Sequence, residues 1–261
     1  MAFQFERPRN FLFKAGQYID LTLFGHPQER SDGLTHTFSI ASSPSDEEIL
    51  VATRIRDTAF KRALFALPTG TEVRIKGPMG SLTLHNSTAR PAVLLAGGIG
   101  IAAFLSILTH AAAERLRHPI FLFYANRYLE DAAFIDALGM LEGVNPRFRF
   151  VPTFTRMTKT YRGWKGETGH ISGQMLSTHV GNLQGPIFYV AGPPQWLQRL
   201  AARSLKPPWM KMTSGQRSSL ATKESEFNLC CHSFQSRDFS APAQRSRRTS
   251  TSSCRSSWEQ H

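Results

Sequence analysis

The segment Ala92-Val-Leu-Leu-Ala is wholly apolar and runs straight into Gly97-Gly98-Ile99-Gly100, after which apolar residues continue to Leu108. Five apolar residues in a row offer no face to water, so a strand there must be covered on both sides. A membrane helix needs roughly 20 mostly apolar residues, and the three glycines interrupt this run. It reads as a strand, a turn and a helix reaching about Arg117. The rhythm then repeats. Pro119 to Tyr124 reads as a strand, about Glu130 to Gly143 as a helix, and Phe148 to Phe154 as another strand. Ile187-Phe-Tyr-Val-Ala leads into Gly192-Pro193-Pro194 and a further helix. Buried strands alternating with amphipathic helices imply a parallel sheet with helices on both faces.

Before residue 90 the pattern has period two. Gln17-Tyr-Ile-Asp-Leu-Thr-Leu, Ile49-Leu-Val-Ala-Thr-Arg-Ile and Glu72-Val-Arg-Ile-Lys alternate in polarity, with Gly16, Gly70, Gly77-Pro78 and Gly80 as turns. Such runs are strands with one buried face. An antiparallel barrel with one short helix near Ala59 to Leu67 is expected. With 261 residues the chain has room for two such domains in series. The expected boundaries are a β-barrel domain over 1–88, an α/β domain over 89–203 and a disordered tail over 204–261.

The tail stands apart in composition. Ser, Thr, Arg and Gln dominate it, apolar periodicity stops, and all three cysteines, Cys230, Cys231 and Cys254, lie within it. An odd number of cysteines in such a segment is neither a disulfide framework nor a zinc pattern, and the body can have no catalytic cysteine. The formal net charge of +12 divides into +5 for residues 204–261 and +7 for the rest. The body's cations are scattered, whereas polyanion binding needs them clustered. No nucleic-acid, membrane or metal partner is expected. MAFQFERPRN has no apolar signal region, so a soluble, cytoplasmic protein is the expectation.

Four motifs can carry chemistry. Gly97, Gly98 and Gly100 follow a buried strand and open a helix, where glycines let phosphates approach backbone amides and the helix dipole favours an anion. The spacing is not GxGxxG, and a turn used only for packing fits equally. Gly192-Pro193-Pro194 follows a second buried strand at the edge where ligands bind in open α/β sheets, though proline at a helix start is ordinary. In His36-Thr37-Phe38-Ser39 an aromatic beside small hydroxyls can meet a flat ring and bond its edge. A plain strand is the alternative. Asp57-Thr58-Ala59-Phe60-Lys61-Arg62 reads as a capped helix start whose amides and cations could hold a pyrophosphate. A solvated basic face reads as well.

Taken in this order on these two domains, the motifs resemble the ferredoxin–NADP reductase superfamily over about residues 2 to 203, closest to its stand-alone FAD-dependent NAD(P)H oxidoreductases. The resemblance implies FAD and NADH or NADPH as cofactors. It places His36, Thr37, Phe38 and Ser39 at the flavin, with Phe38 against the ring and the Ser39 hydroxyl, the one implied catalytic group, facing the reactive nitrogen. Thr58, Ala59, Phe60 and Lys61 would cradle the FAD pyrophosphate. Gly97, Gly98 and Gly100 would take the NAD(P)H pyrophosphate, Gly192, Pro193 and Pro194 the nicotinamide end, and Arg127 a 2′-phosphate. The sequence departs from the family pattern at His36, where an Arg is usual, at Ala191 for Cys and at Ala103 for Pro. On this resemblance the barrel's first strand is expected to be missing, which would leave a sheet edge unpaired.

Relatives tend to end in an acidic helix and E-E-F-x-G-Y. Trp209 to Lys223 can be back-translated so that the frame beginning at the third base of the Trp codon reads Asp-Glu-Asp-Asp-Ile-Arg-Ala-Glu-Glu-Phe-Ala-Gly-Tyr-stop. Residues from about Ser204 onward are therefore expected to be an out-of-frame translation. The resemblance implies transfer of hydride from NAD(P)H to FAD and of electrons onward, to a separate ferredoxin-like protein or another redox acceptor. Two alternatives stand beside it: a truncated remnant without activity, and polyanion binding through the basic tail.

Overall fold

The computed structural model describes residues 1–24, 34–54, 57–157, 164, 166–202 and 225–234, the last for its backbone alone. The period-two segments become β1 (Ala2–Glu6), β2 (Tyr18–Leu23), β3 (Leu34–Ser39), β4 (Glu48–Ala52) and β5 (Glu72–Met79). In β2 the alternation works as expected: Ile19, Leu21 and Leu23 are buried while Tyr18, Asp20 and Thr22 are half-exposed. Helix α1 (Ala59–Ala66) lays Phe60, Ala63 and Leu64 into the same core. Its cap is the Thr58 hydroxyl, which accepts from the Lys61 amide at 3.3 Å.

These strands form a six-stranded antiparallel sheet, ordered β3-β2-β5-β11-β1-β4, in which β11 is Ser225–Phe234. A bridge between Ile40 and Val51 joins the two outermost strands, so the sheet closes on itself. Strand β11 lies within residues 204–261 and sits between β5 and β1. Ala2 to Phe5 pair with Phe234 to Cys231, while Glu72 to Gly77 pair with Cys230 to Ser225. The physical reason is that β1 and β5 would otherwise each present a row of unbonded amides and carbonyls. The rest of the tail lies outside the described residues.

The second half follows the strand–helix rhythm. Strands β6 (Ala92–Gly97), β7 (Ile120–Asn126), β8 (Phe148–Phe154), β9 (Glu167–Thr168) and β10 (Ile187–Ala191) make a parallel sheet ordered β10-β6-β7-β8-β9. Every residue of β6 is buried or in the sheet's centre, as its apolar run requires. Helices α2 (Ile101–Ala113) and α3 (Ile135–Val144) pack on one face with Leu94, Ala96, Leu122 and Tyr124. Helices α4 (Gly173–Val180) and α5 (Pro194–Ala202) cover the other, with Val93, Leu95 and Phe123. The α3 pattern starts five residues later than its periodicity suggests. Phe134 has φ +62°, a left-handed conformation that a continuous helix cannot contain, and residues 129–131 form a separate tight turn.

The two sheets share a core. Ala2, Ala41, Leu50 and Ala52 from the antiparallel side pack with Phe104, Leu105 and Leu108 of α2. The connecting segment is fastened to β10 through Tyr189, whose hydroxyl accepts from the His85 amide at 2.9 Å and lies 2.8 Å from His85 Nδ1. The opposite ring nitrogen, Nε2, donates to the Arg90 carbonyl at 2.9 Å, which assigns Nδ1 as the acceptor from Tyr189. Among the described residues no helix is long and apolar enough to cross a membrane.

Candidate cofactor site

Residue pairing sets the site. Ala191, the last residue of β10, lies beside Ala96, and Gly97 lies beside Ala125 of β7. The two glycine turns that the sequence singled out therefore leave the same edge of the parallel sheet next to each other. They are interlocked. A Cβ on Gly100 would lie 2.3 Å from the Ala191 carbonyl oxygen and 2.6 Å from the Gly192 nitrogen. One on Gly97 would lie 2.4 Å from the Trp196 indole, which also lies against Gly192. Gly98 has φ +53°, the left-handed region that favours glycine. Pro193 and Pro194 stay exposed at the rim, with Pro194 opening α5.

The start of α2 adds charge to this shape. No side chain caps it and no carboxylate stands in its first turn. The positive end of the helix dipole is thus left for an outside anion. Gly97, Gly98, Gly100 and Gly192 are brought together, while Arg127 lies exposed beyond the end of β7, its carbonyl accepting from the Arg156 amide at 2.9 Å.

The second group of expected residues gathers on the antiparallel sheet. The His36 ring meets Phe38 edge-on at 4.9 Å between centroids and Phe60 at 5.2 Å, and Phe38 and Phe60 are 5.7 Å apart. Thr37 donates its hydroxyl proton to Asp20, and Ser39 is half-buried at the end of β3. Burial holds the His36 ring below its ordinary titration range, the Lys61 ammonium pushes the same way, and Asp20 opposes both. Ala59 and Phe60 open α1 beside the Thr58 cap. Phe38 is only 4% exposed. Its ring is engaged by His36 and Phe60, so a flat ligand reaches it only where these neighbours yield.

Three residues at this site escape a reading of motifs. Trp196 covers Gly97 and Gly192. Arg54, two residues past β4, reaches across to the other sheet, where its Nη2 lies 2.9 Å from a Cβ placed on Gly98 and donates to Asn126 Oδ1 at 3.4 Å. Asn126 ends β7 and is 5% exposed. A lone Arg after a strand and an Asn at a strand end carry no local signal. A surface concavity of about 890 Å³ lies elsewhere, lined by Glu142, Arg147, Arg149 and His179. It involves none of the expected residues.

Comparison with known proteins agrees with this architecture. The family model described as the oxidoreductase NAD-binding domain matches residues 94–201. The reductase component of propane 2-monooxygenase from Gordonia sp. (strain TY-5) is 32% identical over 157 residues, covering 58% of this chain and 43% of that protein. The NAD(P)H-flavin reductase of Aliivibrio fischeri is 29% identical over 188 residues, covering 69% and 75%. The chain thus spans less than half of the first relative and three quarters of the second. In fold it is similar to a ferredoxin NADP+ reductase from Neisseria gonorrhoeae solved with FAD and NADP, with a TM-score of 0.65 at 23% identity over 82% of this chain and 92% of that one. Residues 94–201 thus match the oxidoreductase NAD-binding domain model, and the pair of sheets has the fold of the ferredoxin NADP+ reductase structure.

Proposed function

We propose that the protein is a flavoprotein oxidoreductase that accepts hydride from NAD(P)H on FAD and passes the electrons to an acceptor. The observation that carries this reading is the meeting of the Gly97–Gly100 and Gly192 turns at one edge of the parallel sheet. Flavin and nicotinamide supply the redox chemistry, and the protein supplies position and electrostatics.

The residues fit the two groups. At the glycine turn, Gly98 and Gly100 are half-exposed just before the uncapped start of α2, whose amides and dipole suit a diphosphate. Gly192, Pro193 and Pro194 form the adjoining rim for the nicotinamide, and Arg127 stands where a 2′-phosphate would find a cation. On the antiparallel sheet, the Thr58–Lys61 helix start offers amides and an ammonium to the FAD pyrophosphate, with His36 alongside. Ser39 would orient the flavin by hydrogen bonding, and Phe38 with Phe60 would bound the ring on its apolar side. Residues 1–88 thus serve the flavin and 89–203 the nucleotide.

The relatives support the onward step. One is named as the reductase component of a monooxygenase and another as a flavin reductase, so the acceptor is a separate redox protein or a small molecule. The test is reconstitution of the purified chain with FAD, desalting, and anaerobic titration with NADH and then NADPH. Flavin bands that survive desalting and bleach with a nucleotide are expected, and the better nucleotide identifies the preference. A protein that stays colourless after reconstitution contradicts the reading.

A further inference from the structure

Ser106 stands in the middle of α2, where every other buried residue is apolar. A hydroxyl buried there is costly unless it is bonded. Its partner is the Ser42 carbonyl of the antiparallel sheet, at 2.6 Å. Ser42 follows Ser39, at the end of β3, by three residues, and Ser106 follows Gly100, at the start of α2, by six. The loop that carries Ser42 is held from outside by Arg7, just past β1. Arg7 donates from Nη1 to the Pro44 carbonyl at 2.5 Å and the Asp46 carbonyl at 3.0 Å, and from Nε to the Phe11 carbonyl at 2.9 Å. Its guanidinium lies 5.2 Å from the centre of the Phe13 ring. The loop is also tied within itself and to β4. The Asp46 carboxylate accepts from the Ser43 amide at 2.7 Å, and the Ser42 hydroxyl accepts from the Leu50 amide at 3.0 Å.

We infer that Arg7 is a positioning residue for hydride transfer: through the 42–46 loop and the Ser42–Ser106 bond it sets how far the start of α2 stands from the end of β3. This deepens the reductase reading and rests on it. In that reading one cofactor is held on each sheet, so the distance between the reacting atoms is a distance between the sheets. Hydride leaves C4 of the dihydronicotinamide with both electrons of its C–H bond and bonds to the flavin, which oxidises the nucleotide and reduces the flavin. The reacting atoms must come within about 3–3.5 Å, and a displacement of about 1 Å can cost about a hundredfold in rate. A planar guanidinium with three carbonyl partners fixes a loop in one place, and an ammonium on a flexible stem does so less firmly. None of these Arg7 hydrogen bonds goes to a residue expected at either cofactor, so its loss should alter rate and not affinity.

The test compares R7M, R7K and S106A with the wild-type full chain. Hydrogen exchange of the flavin-free chain reads the loop directly, and R7M is expected to exchange the Ser43 and Leu50 amides about tenfold faster. Anaerobic stopped-flow of the FAD-loaded chain against rising NADH or NADPH then separates affinity from rate. R7M is expected to keep FAD and nucleotide affinity within about twofold and to lower the limiting bleaching rate about tenfold. The charge-transfer band of the oxidised nucleotide with dithionite-reduced flavin should weaken in parallel. R7K should fall between, and S106A should lower rate and band as R7M does. I171V trims the core on the other face of the parallel sheet and should keep the wild-type rate and band. If R7M does not fold, R7K and S106A decide. Wild-type rate and band in R7M, or in both R7K and S106A, overturn the role of Arg7 and leave the reductase reading intact. So does an I171V loss as large as that of R7M, or a slower R7M whose Ser43 and Leu50 amides exchange as in wild type. A wild-type chain that holds FAD and is bleached by neither nucleotide overturns the reductase reading and this role with it.

Discussion

Ser106 on α2 donates its hydroxyl proton to the carbonyl of Ser42 at 2.6 Å, and both residues are buried. Ser42 follows β3 and also accepts from the Leu50 amide through its own hydroxyl at 3.0 Å. One buried hydrogen bond therefore pins the parallel-sheet half to the antiparallel-sheet half. Replacing Ser106 by Ala leaves the Ser42 carbonyl buried and unpaired, which costs about 1–3 kcal/mol. The S106A variant should melt at a lower temperature, by roughly 2–4 °C per kcal/mol for a chain of this size. A midpoint equal to wild type in a thermal melt would mean that the bond does not join the halves.

The glycine turn should be sensitive to a single methyl group. Gly100→Ala places a Cβ 2.3 Å from the Ala191 carbonyl oxygen, a backbone atom that cannot swing aside. The expected result is a loss of NADH and NADPH affinity of at least about tenfold with FAD retained, because the strain falls between the two turns of the parallel sheet. Gly139→Ala is the matched control, since nothing lies within 4 Å of a Cβ there.

His36 should make flavin binding dependent on pH. In the free protein burial and then Lys61 hold its titration below the ordinary value near 6.5. A pyrophosphate placed beside it would raise that value. Between the two values, binding takes up a proton, so FAD affinity should rise as pH falls through that window and level off on either side. H36R, charged throughout the range, should bind FAD more tightly at pH 7.5 and lose this dependence. Fluorescence titration of FAD at several pH values measures both, and an H36R profile parallel to wild type contradicts the assignment.

Strand β11 should matter even though its sequence departs from the rest of the chain. Ending the chain at Ala202 exposes the edges of β1 and β5, whose backbone groups β11 now pairs. Such edges invite association with other chains. The shortened protein is expected to melt lower and to self-associate on size-exclusion chromatography. A monomer of unchanged midpoint would mean that β11 contributes nothing to the barrel.

What could be read in the sequence was local. Five apolar residues before a glycine turn specify a buried strand and a helix start wherever they occur, so β6, α2 and the paired Gly192 turn were legible. Period two likewise identified β2, β4 and β5. The start of α3 was not, because only the left-handed Phe134 interrupts an otherwise helical pattern. The place of β11 depends on which edges lie empty, a property of the closed sheet and not of residues 225–234. The packing of Phe38 under His36 and Phe60 depends on α1 folding back over β3. The contact between Arg54 and Asn126 crosses 72 residues of chain and two sheets, and no spacing rule reaches that far.

Hydride transfer from NAD(P)H to a bound FAD is the reaction proposed for this chain. The most direct measurement is anaerobic stopped-flow bleaching of the FAD-loaded protein with NADH or NADPH, with and without deuterium at the transferred C4 position. One nucleotide oxidised per flavin bleached and a slower bleaching phase with the deuterated nucleotide are expected. Bound flavin that neither nucleotide bleaches would contradict it.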